Sequence, residues 1–229
     1  MNYRNILNSI TKKEFAQVYF LMGDEPYFID SITKIAIDTI IPDEHKILNQ
    51  AIFYGRDSDV NIILSELKQY PFGFNKRLII IKEAQHLQDI EDLESYFVNP
   101  QQSSILFVCY KGKKLDKRKK ISKILENNHV VFNSQKIYDN KIADWIKRYV
   151  EARNIVIEPK ACNTLIEYIG NDLSKISNEI NKISSNLSIK KITNDLIIDQ
   201  IGISKEFNLF ELQKSLGEKD KNKALIITN

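Results

Sequence analysis

The segment QVYFLMGDEPYFIDSITKIAIDTII, residues 17–41, decides the fold. Gln17–Gly23 is a short apolar run ending at glycine, the pattern of a strand buried on both faces. Pro26 can open a helix without losing a hydrogen bond, and Asp24 and Glu25 suit the positive end of its dipole. Ile32, Ile35, Ala36 and Thr39 then recur at helical spacing. Strand, tight turn and helix in this order begin an α/β sheet.

The alternation continues. NQAIFYG (49–55) reads as a second strand, and DSDVNIILSELKQY (57–70) as an amphipathic helix capped by Ser58 or Asp59 and stopped before Pro71. RLIIIK (77–82), SSILFVCY (103–110) and HVVFNS (129–134) read as three more strands, with KGKKLDKRKKISKILEN (111–127) as a basic helix before the last. Strands alternating with helices imply an open parallel sheet with right-handed crossovers.

From residue 139 only helical periodicities follow, carried first by Ile142, Trp145, Ile146 and Tyr149. Pro159 suits a first turn, Gly170 a helix end, Asn171 or Asp172 the next cap, and Thr193 or Asn194 another. EFNLFELQKSLGEKDKNKALIITN (206–229) begins two more helices around Gly217 and stops inside an apolar pattern, so a third domain is expected to be cut short. The expected organisation is an α/β domain over 1–138, a helical domain over 139–203 and the start of a helical third domain over 204–229.

The 229 residues are 43% hydrophobic and 28% charged, with a net charge of +3. This composition is globular, and the modest charge permits a nucleic-acid partner without requiring one. Cys109 and Cys162 lie far apart in apolar sequence and are expected to be reduced core thiols rather than a disulfide. No apolar run approaches the roughly 20 residues that span a bilayer, and residues 1–15 lack a signal-peptide core, so a cytoplasmic protein without a membrane partner is expected.

The turn after the first strand is where a parallel sheet would cradle phosphate. MGDEPYFIDS has no second glycine, no lysine for the β/γ-phosphates and no hydroxyl at the Mg²⁺ position. Asp24 and Glu25 would repel phosphate there. The third strand ends in Lys82 and Glu83 rather than the paired acids of an ATPase. His45, His86 and His129 are isolated, and no nucleophile elbow occurs. Glu206 and Glu211 read as surface charges. No catalytic residue, nucleotide, metal or cofactor is expected.

Two segments remain. Lys111–Lys123 is strongly basic; Lys113, Lys114, Lys117, Arg118 and Lys120 are its candidate phosphate contacts, although a solvated helix face explains the run as well. In QYPFGFN (69–75), Phe72 and Phe74 sit on a Pro/Gly turn beside Tyr70. They either fold under the sheet as core or form a compact aromatic anchor for a partner.

Five stretches in order resemble the delta subunit family of the bacterial DNA polymerase III clamp loader. VYFLMGDEPYFI is similar to its first strand and lysine-less loop, and YPFGFNKRLIIIKEAQ to its turn of the form L-P-F-F-x-x-x-R-L-V-V-V. KKLDKRKKISKIL resembles its basic segment. IVIEPKACNTLIEYIGNDLSKISNEINKI resembles a second-domain run ending in G-N-D-L (170–173) with downstream Glu179. FNLFELQKSLGEKD resembles the entry to its collar. The resemblance implies a degenerate AAA+-like domain without a working phosphate loop, a helical lid and a collar. It implies a non-catalytic subunit that binds and helps to open the beta sliding clamp, alongside delta-prime and gamma/tau subunits, for loading onto primed DNA. The family's apolar clamp-contacting pair falls on Pro71 and Phe72, with Phe74 offering a second ring and Tyr70 beside it. Pro71 stands where some members carry leucine, and Gly73 where many carry phenylalanine. A nucleic-acid-binding module using residues 111–123 and a nucleotide-dependent enzyme are the alternatives.

Overall fold

The computed structural model describes residues 1–185, 190–201 and 216–217. The chain divides into two compact units, residues 1–136 and 137–229. Apart from Leu216 and Gly217, the expected third segment lies outside the described residues.

The first unit contains α1 (Tyr3–Thr11), β1 (Val18–Gly23), α2 (Pro26–Thr39), α3 (Asp43–Asn49), β2 (Gln50–Tyr54), α4 (Val60–Leu67), β3 (Arg77–Lys82), α5 (Glu94–Val98), β4 (Ser104–Lys111), α6 (Lys120–Asn128) and β5 (Val130–Ser134). The strands form one parallel sheet ordered β2-β3-β4-β1-β5. Continuous apolar strands work here because both faces are covered. Val18, Phe20, Ile79, Ile81, Leu106 and Val108 pack against α4, α5 and α6 through Ile63, Phe97 and Leu125. The alternate residues Tyr19, Leu21, Leu78, Ile80, Ile105 and Phe107 pack against α1 and α2 through Ile6, Ile10, Ile29 and Ile32. Tyr19 and Phe107 stack with centroids 4.3 Å apart on that second face.

The caps follow residue chemistry. Glu25 accepts the N–H of Tyr27 ahead of Pro26, and Asp59 accepts that of Asn61. Each supplies an acceptor to a helix donor that has no intrahelical partner.

One expectation fails in this unit. The basic stretch is not helical from Lys111: β4 continues to Lys111, Gly112 turns at φ +67°, and α6 starts only at Lys120. Asp116 accepts the N–H of Arg118 at 2.9 Å, and its carbonyl accepts the Ser122 hydroxyl at 2.7 Å. These bonds offer the backbone a turn instead of a helix, and closely spaced lysines gain little from helical stacking.

The second unit carries α7 (Asp139–Glu151), β6 (Val156–Ile157), α8 (Pro159–Ile169), α9 (Leu173–Ser184), β7 (Lys191–Ile192) and α10 (Asn194–Ile201). Its core includes Ile142, Ile146, Leu165, Ile176, Ile180 and Ile197. It is not purely helical, because β6 and β7 pair as a two-residue parallel ribbon. Pro159 opens α8, Gly170 closes it at φ +77°, and Asp172 caps α9 by accepting the N–H of Lys175. Among the described residues, no helix is long and apolar enough to cross a membrane.

Candidate functional site

The corner between α4 and β3 lies at the amino-terminal edge of the sheet. Pro71 disfavours helical backbone at Tyr70 and cannot itself donate to a helix, so the chain turns out. Gly73 turns at φ +66°, a region that disfavours side chains, and a Cβ there would meet only the His45 ring, at 3.8 Å. The turn separates the aromatic rings. Tyr70 is 80% exposed and Phe72 71% exposed. Phe74 instead packs against the α1/α2 face of the sheet and stacks on His45 with centroids 5.1 Å apart. Its ring is half-buried against the margin of the core, which leaves Phe72 and Tyr70 as the exposed aromatic surface of the corner. Pro71 is half-buried. Tyr70 and Pro71 also line an open groove of about 480 Å³ with Asn99–Ser103.

Two buried polar residues tie this corner to the sheet. Asn49 at the end of α3 accepts the N–H of Phe72 at 2.8 Å and donates to the Phe72 carbonyl at 2.9 Å and the His45 carbonyl at 3.0 Å. Arg77, the first residue of β3, donates to the Leu48 carbonyl at 2.8 Å and pairs with Glu66 of α4. Arg77 falls on the arginine of the L-P-F-F-x-x-x-R form, whereas no local sequence pattern marks Asn49. Their partners lie 23, 29 and 11 residues away.

The opposite edge, outside the carboxyl ends of β1 and β4, is where an open parallel sheet would hold a nucleotide. The backbone occupies its own donors there. Asp24 N–H donates to the Ser134 carbonyl at 2.9 Å, Gly23 N–H to the Lys113 carbonyl at 3.1 Å and Gly112 N–H to the Gly23 carbonyl at 2.8 Å. Gly23 is at φ +125°, and a Cβ there would lie 2.1 Å from the Ser134 carbonyl oxygen. Glu83 is exposed in a left-handed turn at φ +51° with no acidic neighbour in sequence. Among the described residues, no group of three or more His, Cys, Asp and Glu is arranged for a metal.

The basic segment is largely neutralised. Lys111 pairs with Asp30, Lys114 with Asp24, Arg118 with Asp116, Lys119 with Glu91 and Lys120 with Glu94. The Arg118 guanidinium holds the Asp116 carboxyl below its ordinary range, and Glu91 raises the Lys119 ammonium. Of the five candidate phosphate contacts, Lys113 and Lys117 have no ion pair among the described residues; Lys114, Arg118 and Lys120 do.

Relatives carry the same architecture. The chain is 24% identical over 234 residues to the DNA polymerase III subunit delta of Bacillus subtilis (strain 168), covering 97% of this chain and 67% of that protein. Among solved structures it is similar to the Bacillus subtilis DNA clamp loader delta protein (YqeN), with a TM-score of 0.79 and 23% identity across 99% of this chain and 70% of that one. That likeness shows the fold, a parallel sheet covered by helices and followed by a smaller, mainly helical unit. The family described as DNA polymerase III, delta subunit, matches residues 19–135, more than half of the 229. The whole α/β sheet but for the first residue of β1 falls within that match, and the chain belongs to the DNA polymerase III delta subunit family.

Proposed function

We propose that the protein is the non-catalytic delta subunit of a bacterial clamp loader. It binds the beta sliding clamp through the Tyr70–Phe72 corner and helps to open the ring for loading onto primed DNA. It works in the cytoplasm beside delta-prime and gamma/tau subunits and needs no cofactor of its own. The carrying observation is Phe72: a large aromatic ring 71% exposed on a backbone held from both sides. A fixed, exposed ring suits a partner's apolar pocket, because little order must be acquired on binding. An aromatic anchor of this kind contributes about 2 kcal/mol or more to an interface.

The occupied crevice at the other edge supports the non-catalytic part of the reading. The N–H groups of Gly23 and Asp24 already have backbone acceptors, and Asp24 places a carboxylate where phosphate charge would lie. Domain bounds of 1–138, 139–203 and 204–229 belong to the same proposal, with the last segment entering a collar.

The test is direct binding of the full chain to the cognate sliding clamp by surface plasmon resonance. Saturable binding that Phe72→Ala weakens about thirtyfold, with melting nearly unchanged, is the expected result. No binding by the wild-type chain would overturn the reading.

A further inference from the structure

The corner has little backbone order of its own. Among the described residues, no backbone–backbone hydrogen bond involves residues 70–76. Gly73 within it occupies positive φ, so the local chain has wide conformational freedom. Yet the Phe72 peptide groups are bonded on both sides, N–H and carbonyl, to one amide side chain.

The Asn49 amide carries the donor and acceptor of a peptide group and here replaces a missing neighbouring strand. Its third bond, to the His45 carbonyl, fixes which end of the amide is oxygen and which is nitrogen. Asn49 is fully buried, so water cannot substitute for these bonds. The same turn of α3 offers the His45 ring to Phe74. One short helix end therefore holds Phe72 outward by its backbone and Phe74 inward by its ring.

We propose that Asn49 is a positioning residue that presets the Phe72 corner in its clamp-binding shape. This rests on the reading of that corner as the clamp contact. Asn49 touches no partner; it removes the need to order residues 70–76 during binding. When a binding-ready shape is populated only part of the time, apparent affinity falls by that fraction. A corner released by Asn49→Ala and correctly shaped about a tenth of the time binds about tenfold more weakly. The loss falls on the association rate, because the complex once formed is unchanged.

The experiment compares the full-length wild type with Asn49→Ala, Asn49→Asp and Phe72→Ala. It measures amide hydrogen exchange at Phe72, thermal melting, and association and dissociation rates with the sliding clamp. Asn49→Ala is expected to speed Phe72 exchange and slow association about tenfold, with dissociation nearly unchanged. Phe72→Ala should instead speed dissociation. Asn49→Asp supplies a titratable version of the same contact. Burial raises its carboxyl pKa, and the neutral acid again offers one acceptor and one donor. Lowering pH from about 8 to about 5 should therefore restore Phe72 protection and association in Asn49→Asp, relative to wild type at each pH. Asn49→Ala should show no such recovery. This comparison within one folded chain stands even where Asn49→Ala is too unstable to assay.

A role confined to stability predicts lower melting with unchanged association among folded molecules, and that result would overturn the proposal. So would failure of acid to restore Asn49→Asp. Clamp binding lost in Phe72→Ala but intact in Asn49→Ala overturns the role of Asn49 alone. Absence of clamp binding in the wild type overturns the proposed function and this role with it.

Discussion

The carbonyl of Ser134, the last residue of β5, accepts the N–H of Asp24 at 2.9 Å, and the Ser134 hydroxyl donates to the Glu25 carbonyl at 2.6 Å. These bonds tie the turn after β1 to a neighbouring strand and consume a donor that a phosphate would need. Calorimetric titration of the chain with ATP and Mg²⁺ should show no saturable heat. Gly23→Ala should be severely destabilising, by about 3 kcal/mol or more, because it combines a backbone clash with a disfavoured φ. Urea unfolding measures the loss.

The two phenylalanines at the corner should separate cleanly. Phe72→Ala removes an exposed ring and should change stability by no more than about 0.5 kcal/mol. It should weaken clamp binding about thirtyfold, the equivalent of about 2 kcal/mol. Phe74→Ala removes a ring that packs on the core and on His45, and should cost about 1–3 kcal/mol of stability. Melting curves and clamp titrations of both variants check the contrast.

Phosphate contact by the basic segment is expected to run first through the candidates without an ion pair among the described residues, Lys113 and Lys117. Lys113→Glu with Lys117→Glu should leave melting nearly unchanged and weaken whatever salt-dependent DNA binding this segment provides, with the exposed Lys123 left in place. Each lost contact should flatten the log–log salt slope by about 0.9. Lys119→Glu with Lys120→Glu sets like charges against Glu91 and Glu94 and should lower melting only modestly, since solvent screens exposed pairs. A DNA defect confined to the second pair would contradict this assignment.

Stability should fall in alkali. Cys109 is buried beside Thr33, whose hydroxyl lies 3.1 Å from the sulfur, and burial pushes the thiol pKa up to about 11. The raised value means that the folded state holds the proton more tightly than the unfolded chain does. Its contribution is complete below the ordinary thiol range and is lost as pH rises through about 11. Melting temperature against pH should slope downward across that window, and Cys109→Ala should flatten the slope. Native Cys109 should also resist maleimide until the protein unfolds.

The five strands were readable because each is a β-branched or aromatic run bounded by polar or turn residues, and both faces of the sheet need such runs. Caps at Asp59 and Asp172 were readable from residue chemistry beside a periodic helix. The short elements α3, β6 and β7 span too few residues to impose a period. The false helix at Lys111–Lys119 arose because lysine favours helices in isolation, whereas Gly112 and the Asp116 turn set the local backbone.

For the candidate site, sequence alone determined that an aromatic Pro/Gly corner precedes β3 and that the turn after β1 lacks phosphate-binding chemistry. Those facts are carried by residue type and near-neighbour spacing. Only the tertiary structure decided that Phe72 faces out while Phe74 packs in, and that Asn49, Arg77 and Ser134 hold the two edges of the sheet. Apart from the Asn49 bond to His45 within α3, the bonds those three side chains and the Ser134 carbonyl make at these edges join positions 11 to 110 residues apart. Burial and hydrogen bonding are set by what meets in space, and neighbours in the chain do not encode which distant group will arrive.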